Sequence, residues 1–422
     1  MSENKSSIYS RFKKFVISIG PAFFVVGYTI GTGSIVTMAS AGSRYGMSML
    51  WVLSLACIFA FVLLDAYGKY SLYTGEGALY GIKTHIKGGR FIALTVLIGL
   101  IIVEIMALAG IMGIITDLFH DWTGMILGGK GWNPIWIAVG ISVFIYGLIL
   151  IGKYSMFEKI LIVFVSFMGL SFLMTMFIVP PDPVEFIKGF IPTIPEKANA
   201  TILIAAIVGT TFTAPTFVVR SILMKEKKWD LTQIKHAKKD AAIGALIMFL
   251  VSVAVMAAAA STLYVIGRPV DRVVTMVELL EPLLGRFAIS IFVMGILGAA
   301  MSSMIPILML APLLISDYQN KPVEYKGVTF RVLSGVAILF GLIVPVFGYR
   351  PVSAMIVSQA FQVFLLPVVV LAMMYLINRK DLMKGYKVSI WMNISFVLII
   401  IFTIIISYQA VIGLLESFDT IF

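Results

Sequence analysis

Two clusters of small and hydroxyl-bearing residues interrupt long apolar stretches of this chain. The first is Gly31-Thr32-Gly33-Ser34, and the second, about 180 residues later, is Thr210-Thr211-Phe212-Thr213-Ala214-Pro215. In hydrocarbon, an unmade backbone hydrogen bond costs several kcal/mol, so a broken helix persists there only where it faces a cavity or a solute. Two breaks at matching positions in two halves of a membrane protein predict a solute site near the middle of the bilayer.

Few ionisable residues lie within the apolar stretches, and each is a functional candidate because a charge in the bilayer is costly. Glu104 is the deepest of them. It fits two roles equally well, a proton carrier or a structural carboxyl that is hydrogen-bonded to a neighbouring helix. Asp65 and Arg220 lie nearer the ends of their helices, where a salt bridge or snorkelling explains them as well as transport does.

The composition indicates an integral membrane protein. Hydrophobic residues make up 60% of the 422 residues and charged residues only 13%, whereas about 25% are charged in a typical soluble domain. Apolar runs of about 20 residues recur along the whole length, so no segment remains for a soluble domain. We predict eleven helical spans, near residues 15–43, 47–70, 91–118, 133–152, 155–179, 199–224, 238–264, 287–315, 329–347, 351–377 and 388–414.

The charge distribution predicts the orientation of these spans. Residues 1–14 form a short basic tail, and no small-residue cleavage site follows the first apolar run, so we expect a retained helix and not a signal peptide. Most of the 32 Lys and Arg residues fall in the segments that are cytoplasmic if the N-terminus is cytoplasmic. This arrangement places the C-terminus outside the cytoplasmic membrane. The net charge of +11 then reflects contact with anionic lipid, and nucleic-acid binding is not expected.

No enzyme chemistry or cofactor is expected. Cys57 is the single cysteine, and the three histidines, His85, His120 and His236, fall in or near predicted loops. There is therefore no Cys/His metal cluster of the usual spacing. The chain also lacks a Walker-type phosphate loop, so an ion gradient is the expected energy source.

Several short motifs resemble the Nramp family of proton-coupled metal-ion carriers. The matching residues, in family order and spacing, are Gly20-Pro21-Ala22-Phe23, Thr74-Gly75, Gly209, Ser302-Ser303, Ser358-Gln359 and Leu366-Pro367. The resemblance implies an all-α membrane protein of the LeuT type, with five plus five helices in an inverted repeat and an eleventh helix. The first repeat would cover about 15–180, the second about 199–377, and the eleventh helix 388–414.

The family's metal-binding residues are largely replaced. By resemblance, Gly31, Thr32, Gly33 and Ser34 stand at the family's Asp-Pro-Gly-Asn motif, so its aspartate is absent. Thr213 stands at the family's metal-binding methionine, so its sulfur ligand is absent too. Gln359 matches a glutamine that helps to line the family's site, and Thr210 stands where the family contributes a backbone carbonyl.

The family's proton pathway is matched in part. Glu104 stands at an aspartate of the third helix that the family uses in proton transfer, whereas Ala107 replaces a second carboxylate one turn later. Arg220 stands at a histidine of the sixth helix. The resemblance therefore implies proton coupling by a changed route, with Glu104 and Arg220 as candidates.

These replacements favour an organic solute over a metal. Neutral oxygens recover little of the solvation energy that a bare divalent cation loses on leaving water, whereas a Gly-x-Gly break exposes backbone N–H groups that suit an anion. We therefore predict a secondary active transporter for a small organic anion or amino-acid-like solute, coupled to protons and working within the lipid bilayer. The alternative is divalent metal transport through a rebuilt site, and a third possibility is a receptor without transport. The predicted substrate-binding residues are Gly31, Thr32, Gly33, Ser34, Thr210, Thr211, Thr213 and Gln359.

Overall fold

The fold consists of membrane-length helices. The computed structural model describes residues 26–151, 163, 170, 173–174, 176–195, 200–272, 274–348 and 350–421. Every regular element within these ranges is helical, and nine stretches are long and apolar enough to span a membrane. They correspond to nine of the eleven predicted spans. The predicted span 155–179 lies mostly outside the described residues, and the predicted span 15–43 begins outside them.

The main helices are numbered here in chain order. They are α1 Thr32–Tyr45, α2 Leu50–Thr74, α3 Ala78–His85, α4 Gly89–Leu127, α5 Pro134–Ile151, α6 Pro183–Lys188, α7 Ala200–Thr211, α8 Ala214–Glu226, α9 Ile234–Ala259, α10 Val274–Gln319, α11 Val328–Gly341, α12 Ile343–Phe347, α13 Pro351–Phe361, α14 Leu366–Ile377 and α15 Ile390–Ile421. A 3-10 turn, Leu231–Gln233, precedes α9, and a π-helical turn, Ala260–Tyr264, follows it.

Both predicted helix breaks are present. Residues 26–29 are helical, the backbone is extended at Gly31 with φ −107° and ψ −166°, and α1 begins at the next residue. The second break separates α7 from α8 at Thr213, where φ is −89° and ψ is 130°, and a proline in the first turn of α8 suits a helix start. A third irregularity was not predicted. A 3-10 turn, Gln362–Leu365, divides α13 from α14 within the tenth span.

The broken helices lie at the centre of the bundle. In the span Ala200–Glu226, an apolar stretch of 18 residues that includes the second break is 100% buried, whereas α5 is only 28% buried and faces the surroundings. α9 packs on α1 and α2, α7 packs on α13 and α15, and α4 packs on α10 and α13. Unpaired backbone at the breaks is therefore enclosed by protein, as the cost of exposing it to lipid requires.

Gly209 permits the close crossing of α7 and α13. A Cβ atom at this position would lie 1.8 Å from the backbone carbonyl oxygen of Gln359. A backbone atom cannot rotate away, so any side chain here would separate the two helices. Small residues allow such backbone approaches between membrane helices.

We predict that Gly209→Ala lowers the thermal stability, since overpacking of this kind costs about 1–3 kcal/mol. Gly140→Ala in α5 is the matched control, because a Cβ there meets no atom within 4 Å. Alanine is also favoured over glycine within a helix by about 0.5–1 kcal/mol. Thermal unfolding of the purified protein in detergent measures both changes. Equal melting temperatures for the two variants would contradict the close crossing.

Candidate functional site

A small cavity lies between the two helix breaks. Its volume, measured as the space open to the centre of a water molecule, is about 20 Å³, which suits about one water or one ion. Its walls come from the first, third, sixth, eighth and tenth spans. The lining residues are Tyr28, Thr29, Gly31, Gly33, Ser34, Glu104, Ala107, Ile111, Thr210, Thr213, Ser303, Ile307, Gln359 and Gln362.

Most of the residues predicted to bind a substrate meet at this cavity. Gly31, Gly33 and Ser34 of the first break line it, as do Thr210 and Thr213 of the second break and Gln359 of α13. The other two predicted residues, Thr32 and Thr211, are buried in the breaks but are not part of the lining. Their hydroxyls have no hydrogen-bond partner among the described residues.

Glu104 supplies a carboxylate to the same cavity. The residue is only 3% exposed, and the Tyr28 hydroxyl and the Gln362 side chain lie beside its carboxyl. Its Oε1 atom has no hydrogen-bond partner within the described part of the chain. The lining therefore contains a carboxyl in addition to the neutral residues that were predicted to bind a substrate. The third span is apolar all round, so its sequence does not reveal that Glu104 faces the breaks.

Two glutamines of the tenth span have defined orientations. The Thr213 hydroxyl donates to the Oε1 atom of Gln362. The amide nitrogen of Gln362 is therefore the atom that can donate a hydrogen bond to Glu104. The amide nitrogen of Gln359 donates to the sulfur of Met355, with 3.4 Å between the two atoms. Sulfur in methionine is only an acceptor, and this contact therefore leaves the carbonyl oxygen of Gln359 for other partners.

Four polar lining residues, Tyr28, Thr29, Ser303 and Gln362, were not predicted from the sequence. Tyr28 precedes the first break by three residues, Gln362 follows Gln359 by three, and helical spacing of this kind places them on the same face. Ser303 belongs to a motif that carried the family resemblance but was not assigned to the site. Its hydroxyl donates to the carbonyl oxygen of Gly27 at 3.1 Å. A Cβ on Gly31 would lie 1.6 Å from the same hydroxyl oxygen, so only glycine fits there.

Comparison with known proteins agrees with this architecture. The family described as "Natural resistance-associated macrophage protein-like", Nramp, matches residues 22–413. The chain belongs to the Nramp family. It is therefore a multi-pass membrane transporter and not an enzyme in the usual sense.

Individual Nramp relatives are distant in sequence. A divalent metal cation transporter MntH of Granulibacter bethesdensis is 25% identical over 396 residues, which cover 90% of this chain and 85% of the relative. Another MntH, from Caldanaerobacter subterraneus, is 23% identical over 421 residues and 96% of each chain.

Solved structures confirm the LeuT-type fold. A manganese transporter of Eremococcus coleocola gives a TM-score of 0.76 at 15% identity, covering 96% of this chain and 87% of that one. Mhp1, a nucleobase-cation-symport-1 family transporter, gives a TM-score of 0.59 at 15% identity, covering 94% of this chain and 91% of that one. The five-plus-five inverted repeat with an eleventh helix, implied by the Nramp resemblance, is therefore the fold of this chain.

Arg220, which stands at an Nramp histidine, does not reach the cavity. Its guanidinium donates to the carboxylate of Asp240 and, at 2.9 Å, to the backbone carbonyl of Ala237. Both side chains of the ion pair are 1% exposed. The contacts are those of a structural pair between α8 and α9. Asp65 likewise forms an ion pair, with Lys69 at 2.6 Å.

We predict that Arg220→Met alone is strongly destabilising, because it leaves Asp240 buried without its cation, a loss of about 3–5 kcal/mol. The double variant Arg220→Met/Asp240→Leu should regain most of that stability, since an apolar pair of similar volume is tolerated. Thermal unfolding of the three proteins measures the effect. A double variant no more stable than the single one would contradict the structural pairing.

Proposed function

We propose that this Nramp-family chain is a secondary active transporter for a small divalent cation, with manganese and magnesium as the best-suited ions. Glu104 is the carboxylate that holds the ion. The observation that carries this proposal is the unpartnered Glu104 oxygen in a cavity between two broken helices. The names of the relatives, divalent metal cation transporters and a manganese transporter, support the same class of substrate.

The charge of the cavity supports a cation over an organic anion. The preference for an organic anion assumed a neutral site in which free backbone N–H groups bind a substrate carboxylate. With Glu104 in the lining, an anionic substrate would meet a like charge in a medium of low dielectric constant, where the repulsion is strong. A cation would be attracted by the same charge. The aspartate that the resemblance places at the first break is absent, so the third-span carboxylate of Glu104 would have to hold the ion without it.

The remaining donors around Glu104 are oxygen atoms. Ser34, Thr210 and Thr213 offer hydroxyls, and Gln359 offers the carbonyl oxygen that its contact with Met355 leaves available. Residues 26–29 and α7 each end at a break, and the negative end of a half-helix dipole favours a cation. A set of carboxylate, carbonyl and hydroxyl oxygens suits magnesium, manganese or calcium.

The size of the cavity agrees with an ion. A space of about 20 Å³ holds about one water molecule, and any organic acid would need the helices around it to separate. Magnesium usually retains several waters and needs only one or two carboxylates from the protein. One carboxylate is what this cavity provides.

The two candidate residues for proton coupling differ in position. Arg220 is held in its ion pair with Asp240 and is not part of the cavity lining, so we assign it no role in proton coupling. We assign that role to Glu104, whose carboxyl is the only one among the described residues that line the cavity. A protonated carboxyl holds a cation poorly, so we expect protons and cations to compete at Glu104.

The first test is ligand binding and uptake. Manganese or magnesium at 100 times its dissociation constant should stabilise the purified protein by about 2.7 kcal/mol, and proteoliposomes should take up the ion saturably. Glu104→Gln should abolish both effects. Glu324→Gln, which changes an exposed carboxylate in a loop, is the matched control and should behave as the unchanged protein.

A different result of the same measurement would support the organic solute. If amino acids or organic acids raise the melting temperature while no divalent cation does, the cation proposal is wrong. If neither class of compound does so and no gradient drives any flux, a receptor without transport becomes the better explanation.

The second test uses pH. The apparent dissociation constant for manganese should rise as the pH is lowered through the range in which carboxyl groups titrate, because protonation removes the negative charge. Glu104→Asp should keep this pH dependence with a weaker affinity, and any residual binding in Glu104→Gln should lack it. A pH dependence that persists in Glu104→Gln would assign the competing proton to another group.

A further inference from the structure

Two serines on the broken helices make equivalent contacts. Ser43 of α1 accepts a hydrogen bond from the backbone N–H of Val270 at 3.1 Å and donates to the carbonyl of Ser40 at 3.2 Å. Ser221 of α8 accepts from the backbone N–H of Ala78 at 2.9 Å and donates to the carbonyl of Val218 at 2.7 Å. Each serine therefore bonds its own helix three residues back and a segment that is distant in sequence.

The inverted repeat relates these two contacts. The first span corresponds to the sixth, so α1 and α8 are the second halves of equivalent broken helices. Ala78 follows the second span and Val270 follows the seventh, which are equivalent as well. Each serine thus joins the broken helix of one repeat to the connecting segment of the other repeat.

A second pair of contacts strengthens each junction. Arg272, two residues after Val270, donates to both carboxylate oxygens of Asp121 near the end of α4, at 2.7 and 2.6 Å. Leu79, one residue after Ala78, donates its N–H to Asp317 near the end of α10 at 2.9 Å. The third and eighth spans, which contain these aspartates, are again equivalent in the repeat.

The two junctions lie on opposite faces of the bundle. α2 has 25 residues and runs from a point near Ser43 to a point near Ala78, a length of about 37 Å. α9 and its π-helical turn run back from the Ser221 junction to the Ser43 junction. The predicted orientation makes the Ser43 face external and the Ser221 face cytoplasmic.

The Ser43 junction borders a second cavity of about 630 Å³, lined in part by Arg44, Asp117, Asp271 and Arg272. Arg44 also forms an ion pair with Asp271 at 2.9 Å. The cavity extends to Ile356 in α13, within one helical turn of Gln359 in the substrate site. The Ser43 junction therefore borders a cavity that approaches the substrate site from the Ser43 face.

We propose that Ser43 and Ser221 are paired latches that hold the two faces of the transporter closed, and that the protein opens one face by releasing one latch while the other stays made. A serine hydroxyl suits this role because water can replace its bonds when the contact opens. The net free energy of one hydrogen bond changes an equilibrium constant about fivefold. A bond of this strength favours the closed state and can still be broken when that face opens.

The test is hydrogen-deuterium exchange of the whole protein in lipid nanodiscs, without added ligand. Ser43→Ala should raise exchange about fivefold in residues 265–272, beyond the Val270 amide itself, and should not raise exchange in Ala78–His85. Ser221→Ala should have the reverse effect. The double variant should raise exchange on both faces. The ratio of the exchange rate in residues 265–272 to that in Ala78–His85 should then equal the ratio in the unchanged protein.

Matched controls are available on the same helices. Ser40→Ala and Thr216→Val remove buried hydroxyls that have no hydrogen-bond partner among the described residues, and neither should shift exchange on either face. Ala78→Pro removes the donor of the Ser221 latch from the other side. Proline is tolerated at the first position of α3, and Gly77 before it is already extended, with ψ 163°. This variant should reproduce Ser221→Ala even if the serine variant fails to fold.

Two results would overturn the proposal. Exchange that changes only at the Val270 or Ala78 amide would make the serines local contacts without a gating role. Exchange that rises on both faces in either single variant would indicate general loosening of the bundle. Both results can be interpreted whether or not the protein transports a cation, because the exchange measurement uses no substrate.

Discussion

The cost of leaving polar groups unpaired in hydrocarbon governs this structure. It explains why an apolar stretch of 18 residues that includes the second break is 100% buried while α5 is only 28% buried. It also explains why the breaks, the 3-10 turn at Gln362–Leu365 and the Glu104 carboxyl occur together. Each of these features would be expensive against lipid, and a shared internal cavity is the one environment that accepts them all.

Within that cavity, the proposed substrate depends on one carboxylate. By the resemblance, Gly31 and Thr213 stand where the family has metal ligands, and considered alone they favour a neutral organic-solute site. Glu104 gives the cavity a carboxylate at a position where the resemblance already places an acidic residue of the third helix. The cation site that we propose therefore relies on fewer charged ligands than the resemblance implies for the family.

The membrane class, most of the spans, the two breaks and the family could be predicted from the sequence, because each depends on local composition or on motif order. The direction in which the side chains of an apolar helix point could not be predicted in this way. Glu104 sits in a helix without a polar stripe, so nothing in its neighbours shows which way it points. A salt bridge was one of the two structural explanations considered for Arg220, but its partner could not be named, because Asp240 is 20 residues away and a pairing at that distance has no local signal. The 3-10 turn at Gln362 was missed because the proline that follows it also occurs in ordinary helix starts.

α4 connects the cavity to one junction between the repeats. It has 39 residues without a break and is therefore about 58 Å long, nearly twice the thickness of the hydrocarbon core. Glu104 lies near its middle, and Asp121, the partner of Arg272, lies about 25 Å farther along the same rod. The site carboxylate and one junction between the repeats therefore lie on the same continuous helix, and movements of α1 and α8 can be measured relative to it.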